Sequence, residues 1–436
     1  TMMKVSDPII FGHAVFNRTL LFLKKMYKKI VNALKNIGPG PLIAAAFIGP
    51  GTVTLCTISG AYFGMSLLWA VLFSILAAII LQEMSVRLGV ITQKSIPQLL
   101  REEIKNPILK ATIFLLILSA ILIGNTAYEA GNISGGVLGL ETLVGKWDFN
   151  IGGFRLNIIS VAMGLIAFSV LYIGSYKILE RGLIFLVLLM SISFLTTALL
   201  TKPNLLDVAN GLFSFRAPKG SFLTIIGLVG TTIVPYNLFL HSSLVKEKWS
   251  QKSDLKFARK DMVIAMCVGG LISLSIIITA AASPMNTVEN AADLAIGLEP
   301  IFGSFAKHFL GIGLFAAGLT SAITAPLAAA YVASECFGWN AKLKSSQFRM
   351  VWISVLTLGV LVSSMGIKLI TIIQFAQITN GIILPLIAGI LLWIMNKASV
   401  FGKYKNSITQ NLLGLLIVFF TLFIGLKSIL SVFNLF

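Results

Sequence analysis

Apolar residues run in blocks of about twenty along most of this chain, broken by short polar stretches. A membrane-crossing helix needs about 20 mostly apolar residues. Blocks of that length fall near 38–60, 62–85, 108–138, 156–174, 180–201, 221–244, 261–282, 306–337, 350–366, 369–395 and 411–433. The pattern predicts an all-α integral membrane protein with 11 transmembrane helices. The polar stretches near 141–155, 202–220, 245–260 and 283–305 are loop-sized, so one membrane domain over 37–436 is expected and no soluble domain. Residues 1–36 form a basic amphipathic segment in which Phe11, Phe16, Leu20 and Tyr27 alternate with Arg18, Lys24, Lys25, Lys28 and Lys29. Such a segment lies on the inner leaflet rather than crossing it. No cleavable signal peptide is read at the start of the chain.

Two of the predicted helices carry breaks. The first span contains Gly49-Pro50-Gly51-Thr52, and the sixth contains Val234-Pro235-Tyr236-Asn237. Proline removes a backbone donor and clashes with the turn before it. In hydrocarbon, non-helical backbone survives only where it is buried in protein or lines a cavity. Spans one and six hold equivalent positions in two five-helix halves. Paired breaks of this kind point to inverted repeats with a substrate site at the membrane midplane. Repeat one covers about 37–201 and repeat two about 221–396, with an extra helix near 411–433.

Composition narrows the class. Hydrophobic residues make up 57% of the chain and charged residues 11%, against about a quarter in soluble domains. The net charge of +18 is spread over short loops and is not gathered on one polar face, so nucleic acid is not an expected partner. With the N-terminus in the cytoplasm, Lys and Arg favour the inner loops roughly three to one, the bias expected of cytoplasmic loops. Arg87, Arg101, Lys246, Lys397 and Lys403 are counted there, while Lys146, Lys219 and Lys368 fall outside. A plasma-membrane location follows. Cys56, Cys267 and Cys336 stand far apart and predict neither disulfides nor a metal cluster. Gly60 and Gly64 have the spacing of close helix packing. No phosphate-cradling loop, nucleophile–base pair or cofactor site is evident, so neither ATP-driven transport nor an enzyme is expected.

At the broken helices the chain resembles the natural resistance-associated macrophage protein (NRAMP) family of divalent-metal transporters, which have the LeuT-type fold. The likeness extends over nearly all of the chain after residue 35. It includes Gly38-Pro39-Gly40 through Gly51, Leu81-Gln82-Glu83-Met84-Ser85, Val234 through Ser242, Ala316 through Thr324, and Gln377 ahead of Leu384-Pro385. The resemblance implies a secondary transporter working by alternating access. It also implies a substrate site at Gly49, Pro50, Gly51, Thr52, Val234, Pro235, Tyr236, Asn237 and Gln377.

The departures alter the expected substrate. The family's first-span motif is Asp-Pro-Gly-Asn and its sixth-span motif is Met-Pro-His-Asn. Gly49 and Thr52 remove the carboxylate and its neighbouring amide, while Val234 and Tyr236 remove the thioether and a histidine. A dehydrated divalent cation needs compensating negative charge, and the thioether favours softer metals. Helix N-termini exposed at the breaks suit an anion. The expectation is therefore a small anion such as bicarbonate, or a small polar solute. A divalent cation (Mn, Fe or Mg) at a non-standard site is the alternative, and a non-transporting sensor the second. Glu129, Asn132, His241 and Arg349 form a candidate ion-coupling network for H+ or Na+. Glu129 either takes part in coupling or pairs structurally with Arg349. His241 is either a packed, hydrogen-bonded side chain or a group that titrates near neutral pH.

Overall fold

The computed structural model describes residues 38–40, 48–151, 154–174, 177–283, 288–339 and 343–432. The amphipathic segment expected over 1–36 lies outside them. The chain from Pro39 onward is one compact helical unit. Its helices are α1 (Pro50–Phe63), α2 (Leu68–Thr92), α3 (Ile96–Glu103), α4 (Pro107–Val144), α5 (Ile158–Ile173), α6 (Lys177–Leu200) and α7 (Leu205–Phe213). They continue as α8 (Phe222–Thr232), α9 (Pro235–Lys248), α10 (Leu255–Ala281), α11 (Ala306–Phe337), α12 (Ser346–Ser364), α13 (Leu369–Met395) and α14 (Ile408–Val432). Among the described residues, nine helical stretches are long and apolar enough to cross a membrane, with the α8–α9 pair taken as one.

The polar stretch after α4 is more ordered than its composition predicts. Strands β1 (Asp148–Ile151) and β2 (Phe154–Asn157) pair antiparallel. Asn157 then caps α5, its side chain accepting from Ser160 N at 3.0 Å. Helix α3 carries a capping box between Ser95 and Gln98, which satisfies first-turn donors reciprocally.

Small residues bring the long helices together. A Cβ on Gly318 of α11 would meet Gly136 N at 2.6 Å and Asn132 O at 2.7 Å, both on α4. Gly311, Gly318 and Ala325 span fifteen residues of α11. These face Gly139, Asn132 and Asn125 in reverse order, so the two helices run antiparallel with backbones touching. Without a hydrophobic drive between helices in lipid, such close contact supplies the packing energy. Gly60 lies against Ala280 and Ala281 of α10, whereas Gly64 has a positive φ of 56° and ends α1 with open space beside it. The expected glycine pair is thus one packing contact and one helix stop.

Charges gather at one end of the bundle. Arg87, expected in a loop, lies inside α2 and is 2% exposed. The helix simply extends further than its apolar block, because the arginine finds partners. It donates to Tyr404 O at 2.8 Å and Asn406 Oδ1 at 2.6 Å, and pairs with Glu83 at 3.1 Å. Arg259 of α10 meets the same Glu83 at 2.6 Å. Two residues on, Asp261 Oδ2 accepts from Gly40 N at 2.8 Å.

Candidate functional site

Both breaks form where proline dictates. Gly49 is extended (φ −99°, ψ −176°), and α1 starts at Pro50. Helix α8 stops at Thr232, Ile233 and Val234 leave helical geometry, and α9 starts at Pro235. Proline suits the first helical position because its missing N–H has no helical acceptor there. No side chain caps either N-terminus.

The two breaks meet across the core. Thr52 Oγ1 and Thr231 Oγ1 share a hydrogen bond of 2.8 Å, joining the start of α1 to the end of α8. Gln377 of α13 packs its side chain onto Gly51, and its backbone touches Gly230 of α8. Pro50 rests on Gly135 of α4. Tyr236, in the first turn of α9, meets Tyr128 of α4 edge-to-face at 5.5 Å between centroids. Thr52, Tyr236, Asn237 and Gln377 are each no more than 1% exposed. The structure thus brings Pro50, Gly51, Thr52 and Gln377 together around α8, with Tyr236 tied to α4 beside them.

Several polar atoms of the predicted site residues are buried with no hydrogen-bond partner: Asn237 Oδ1, Gln377 Oε1 and the Tyr236 hydroxyl, and on α4 both carboxyl oxygens of Glu129, the residue after Tyr128. Burying polar atoms unpaired is costly, so such atoms mark places that can take a ligand. The amide and carboxyl oxygens accept, and the hydroxyl can also donate.

The proposed coupling network is arranged differently from the sequence expectation. Glu129 packs its Cβ and Cγ against Gly359 of α12. Arg349 is ten residues earlier on the same helix, about 15 Å away along the axis. Its guanidinium lies 4.3 Å over the Tyr172 ring. Of the two roles read for Glu129, the pairing with Arg349 does not form among the described residues, because helix rise separates the two and Tyr172 offers the cation an aromatic face. Asn132 presents its carbonyl to Gly318, and its amide nitrogen has no partner. His241 is fully buried and donates from Nδ1 to Gln82 Oε1 at 2.8 Å, since that oxygen can only accept. Thr231, Tyr128 and Gln82 were not among the expected site residues, although Gln82 stands in a stretch that carries the family resemblance. Thr231, beside the sixth-span break in Gly230-Thr-Thr, was the most readable of them.

A family model described as natural resistance-associated macrophage protein-like matches residues 40–431. The chain belongs to this family. Among Nramp relatives, it is 31% identical over 296 residues to the divalent metal cation transporter MntH of Bacillus subtilis (strain 168), covering 65% of this chain and 67% of that one. It is 27% identical to the protein of the same name from Staphylococcus haemolyticus (strain JCSC1435), over 91% of this chain and 92% of that one. In structure, this Nramp chain is similar to the Eremococcus coleocola manganese transporter, with a TM-score of 0.71 at 21% identity, covering 91% of this chain and 86% of that one. It also matches MhsT, solved with L-phenylalanine, at a TM-score of 0.57 and 18% identity, over 90% of this chain and 98% of that one. The Nramp chain is an integral membrane transporter with the LeuT-type fold.

Proposed function

We propose that this Nramp chain carries a divalent metal cation across the membrane by alternating access. The ion is held by neutral oxygens between α1, α9 and α13, and the Glu129 carboxyl on α4 is the candidate group to ionise when the cation is present. The carrying observation is the set of unpartnered buried acceptors: Asn237 Oδ1, Gln377 Oε1 and the two Glu129 oxygens. Hard cations take oxygen ligands. Val234 provides no thioether, so magnesium, manganese and calcium are favoured over softer metals. Among the described residues no cluster of three His, Cys, Asp or Glu stands ready to hold a metal ion, so the proposed ligands are chiefly neutral oxygens. The relatives' names support the same substrate class.

These oxygens reverse the order of the two substrate readings drawn from sequence. The small-anion reading keeps one observation of its own: the uncapped N-termini of α1 and α9, which carry partial positive charge. Proteoliposomes loaded with a metal-sensing dye separate the two. Manganese or magnesium uptake that saturates and falls in Asn237→Ala supports the cation. Bicarbonate or chloride flux without metal entry overturns it.

The eleven crossings, the two repeats and the single membrane domain over 37–436 complete the proposal. So do a cytoplasmic N-terminus and a plasma-membrane location, with the Arg87 end of the bundle facing the cytoplasm. Transport is driven by an H+ or Na+ gradient, which the same vesicles test by imposing each gradient separately. Labelling of single cysteines introduced at Lys146 and Lys403 from outside intact cells checks the orientation: only the first should react.

A further inference from the structure

Two grooves on the lipid-facing side of α13 meet at Gly389 and Trp393. One is bounded by Leu392, Leu415 and Val418, encloses about 360 Å³, and ends at Asn396 and Asn411. The other runs between Pro385 and Leu386 of α13 and Leu109 and Ile113 of α4, and encloses about 420 Å³. Gly389 has nothing within 4 Å of where a Cβ would sit, so the two arms are continuous over its surface. Their walls are apolar until the last turn of α13. There Asn396 and Asn411 exchange hydrogen bonds of 2.8 and 2.7 Å.

The same end carries positive charge. Lys397 Nζ lies 4.9 Å over the Trp393 ring and 3.3 Å from Glu103. Glu102 is taken up by Lys94. Lys105 is exposed and Lys110, beside the groove residue Leu109, is half-buried; among the described residues neither is paired with a carboxylate. Tryptophan favours the level of the headgroups. Lysine stems reach along apolar surface to put their charge there.

We infer that this forked groove seats one anionic phospholipid, with one acyl chain in each arm and the phosphate at Lys105 and Lys110. Apolar arms take hydrocarbon from any lipid. The unpaired lysines select the anionic headgroup, each contributing about fivefold in affinity. The seat also bears on transport. Gln377 lies on the same helix, twelve residues and about 18 Å from Gly389, so the lipid braces the helix that holds a substrate oxygen.

The test uses the full chain in phosphatidylcholine vesicles containing a minority of brominated lipid. The Trp393 contribution to fluorescence is taken as the difference from Trp393→Phe. Brominated phosphatidylglycerol should quench this component at a much lower fraction than brominated phosphatidylcholine. Lys105→Ala and Lys110→Ala should each narrow the gap about fivefold. Gly389→Leu fills open space and should abolish the preference without unfolding the chain. Equal quenching by both lipids would mean ordinary solvating lipid and overturns the proposal. Quenching by neither would mean the groove is covered by protein and overturns it as well. The readout involves no substrate, so it stands or fails separately from the transport assay.

Discussion

Gly51 and Gly230 touch the same residue, Gln377, from opposite sides, and alanine at each should have opposite consequences. On Gly51, a Cβ meets the Gln377 side chain at Nε2 and Cδ, and at Cγ at 3.2 Å. On Gly230, it meets the Gln377 backbone carbonyl, with its carbon at 3.0 Å and Gly381 N at 2.7 Å. A side chain can rotate away for about 0.5–1.5 kcal/mol. The gain of about 1 kcal/mol from alanine in a helix nearly cancels this. Backbone cannot move without parting α8 from α13, an overpacking cost of about 1–3 kcal/mol, again lessened by helix propensity. Gly230→Ala should therefore lose up to about 2 kcal/mol of stability. Gly51→Ala should unfold at nearly the native temperature, yet displace Gln377 Oε1 by an ångström or more and cut metal uptake about tenfold or more. Thermal unfolding in detergent and uptake into dye-loaded liposomes measure the two effects. If Gly51→Ala transports normally, Gln377 is not a substrate ligand. If both variants are destabilised alike, the distinction between side-chain and backbone contact fails.

Further outcomes follow from the same geometry. Glu129→Gln keeps the volume and removes the ionisable carboxyl, so metal uptake should fall more than tenfold while thermal stability holds or rises. Thr231→Val removes the bond between the two hydroxyls and should cost about 1 kcal/mol. The Thr52→Val, Thr231→Val double variant should cost less than the sum, which a double-mutant cycle of unfolding reads directly. Arg87→Ala leaves buried partners unmatched and should cost about 3 kcal/mol. Arg87→Lys should not rescue it, because one ammonium cannot reach carbonyl, amide and carboxylate together.

Much of the fold was legible because hydrocarbon imposes a simple length rule. The apolar blocks near 108–138, 306–337 and 369–395 lie within or coincide with α4, α11 and α13. Both breaks were readable because proline acts locally, on its own turn. What escaped the sequence is non-local. Thr52 finds Thr231 across 179 positions, and His241 finds Gln82 across 159. No periodicity records such pairings. The β1–β2 hairpin was missed because it is held by its own backbone pairing, in a stretch whose composition signals only polarity. Glu129 and Arg349 were matched by opposite charge, yet charge alone carries no height along a helix.

The bond between Gly40 N and Asp261 has a thermodynamic corollary. It ties the stretch ahead of the first break to α10 across 221 positions. Any conformer in which residue 40 moves away from α10 forfeits one amide-to-carboxylate contact. Such a contact contributes about 1.5–3 kcal/mol, so its loss reweights the two populations by roughly ten- to a hundredfold. The Asp261 carboxylate thereby biases the balance between conformers that keep residue 40 on α10 and those that release it.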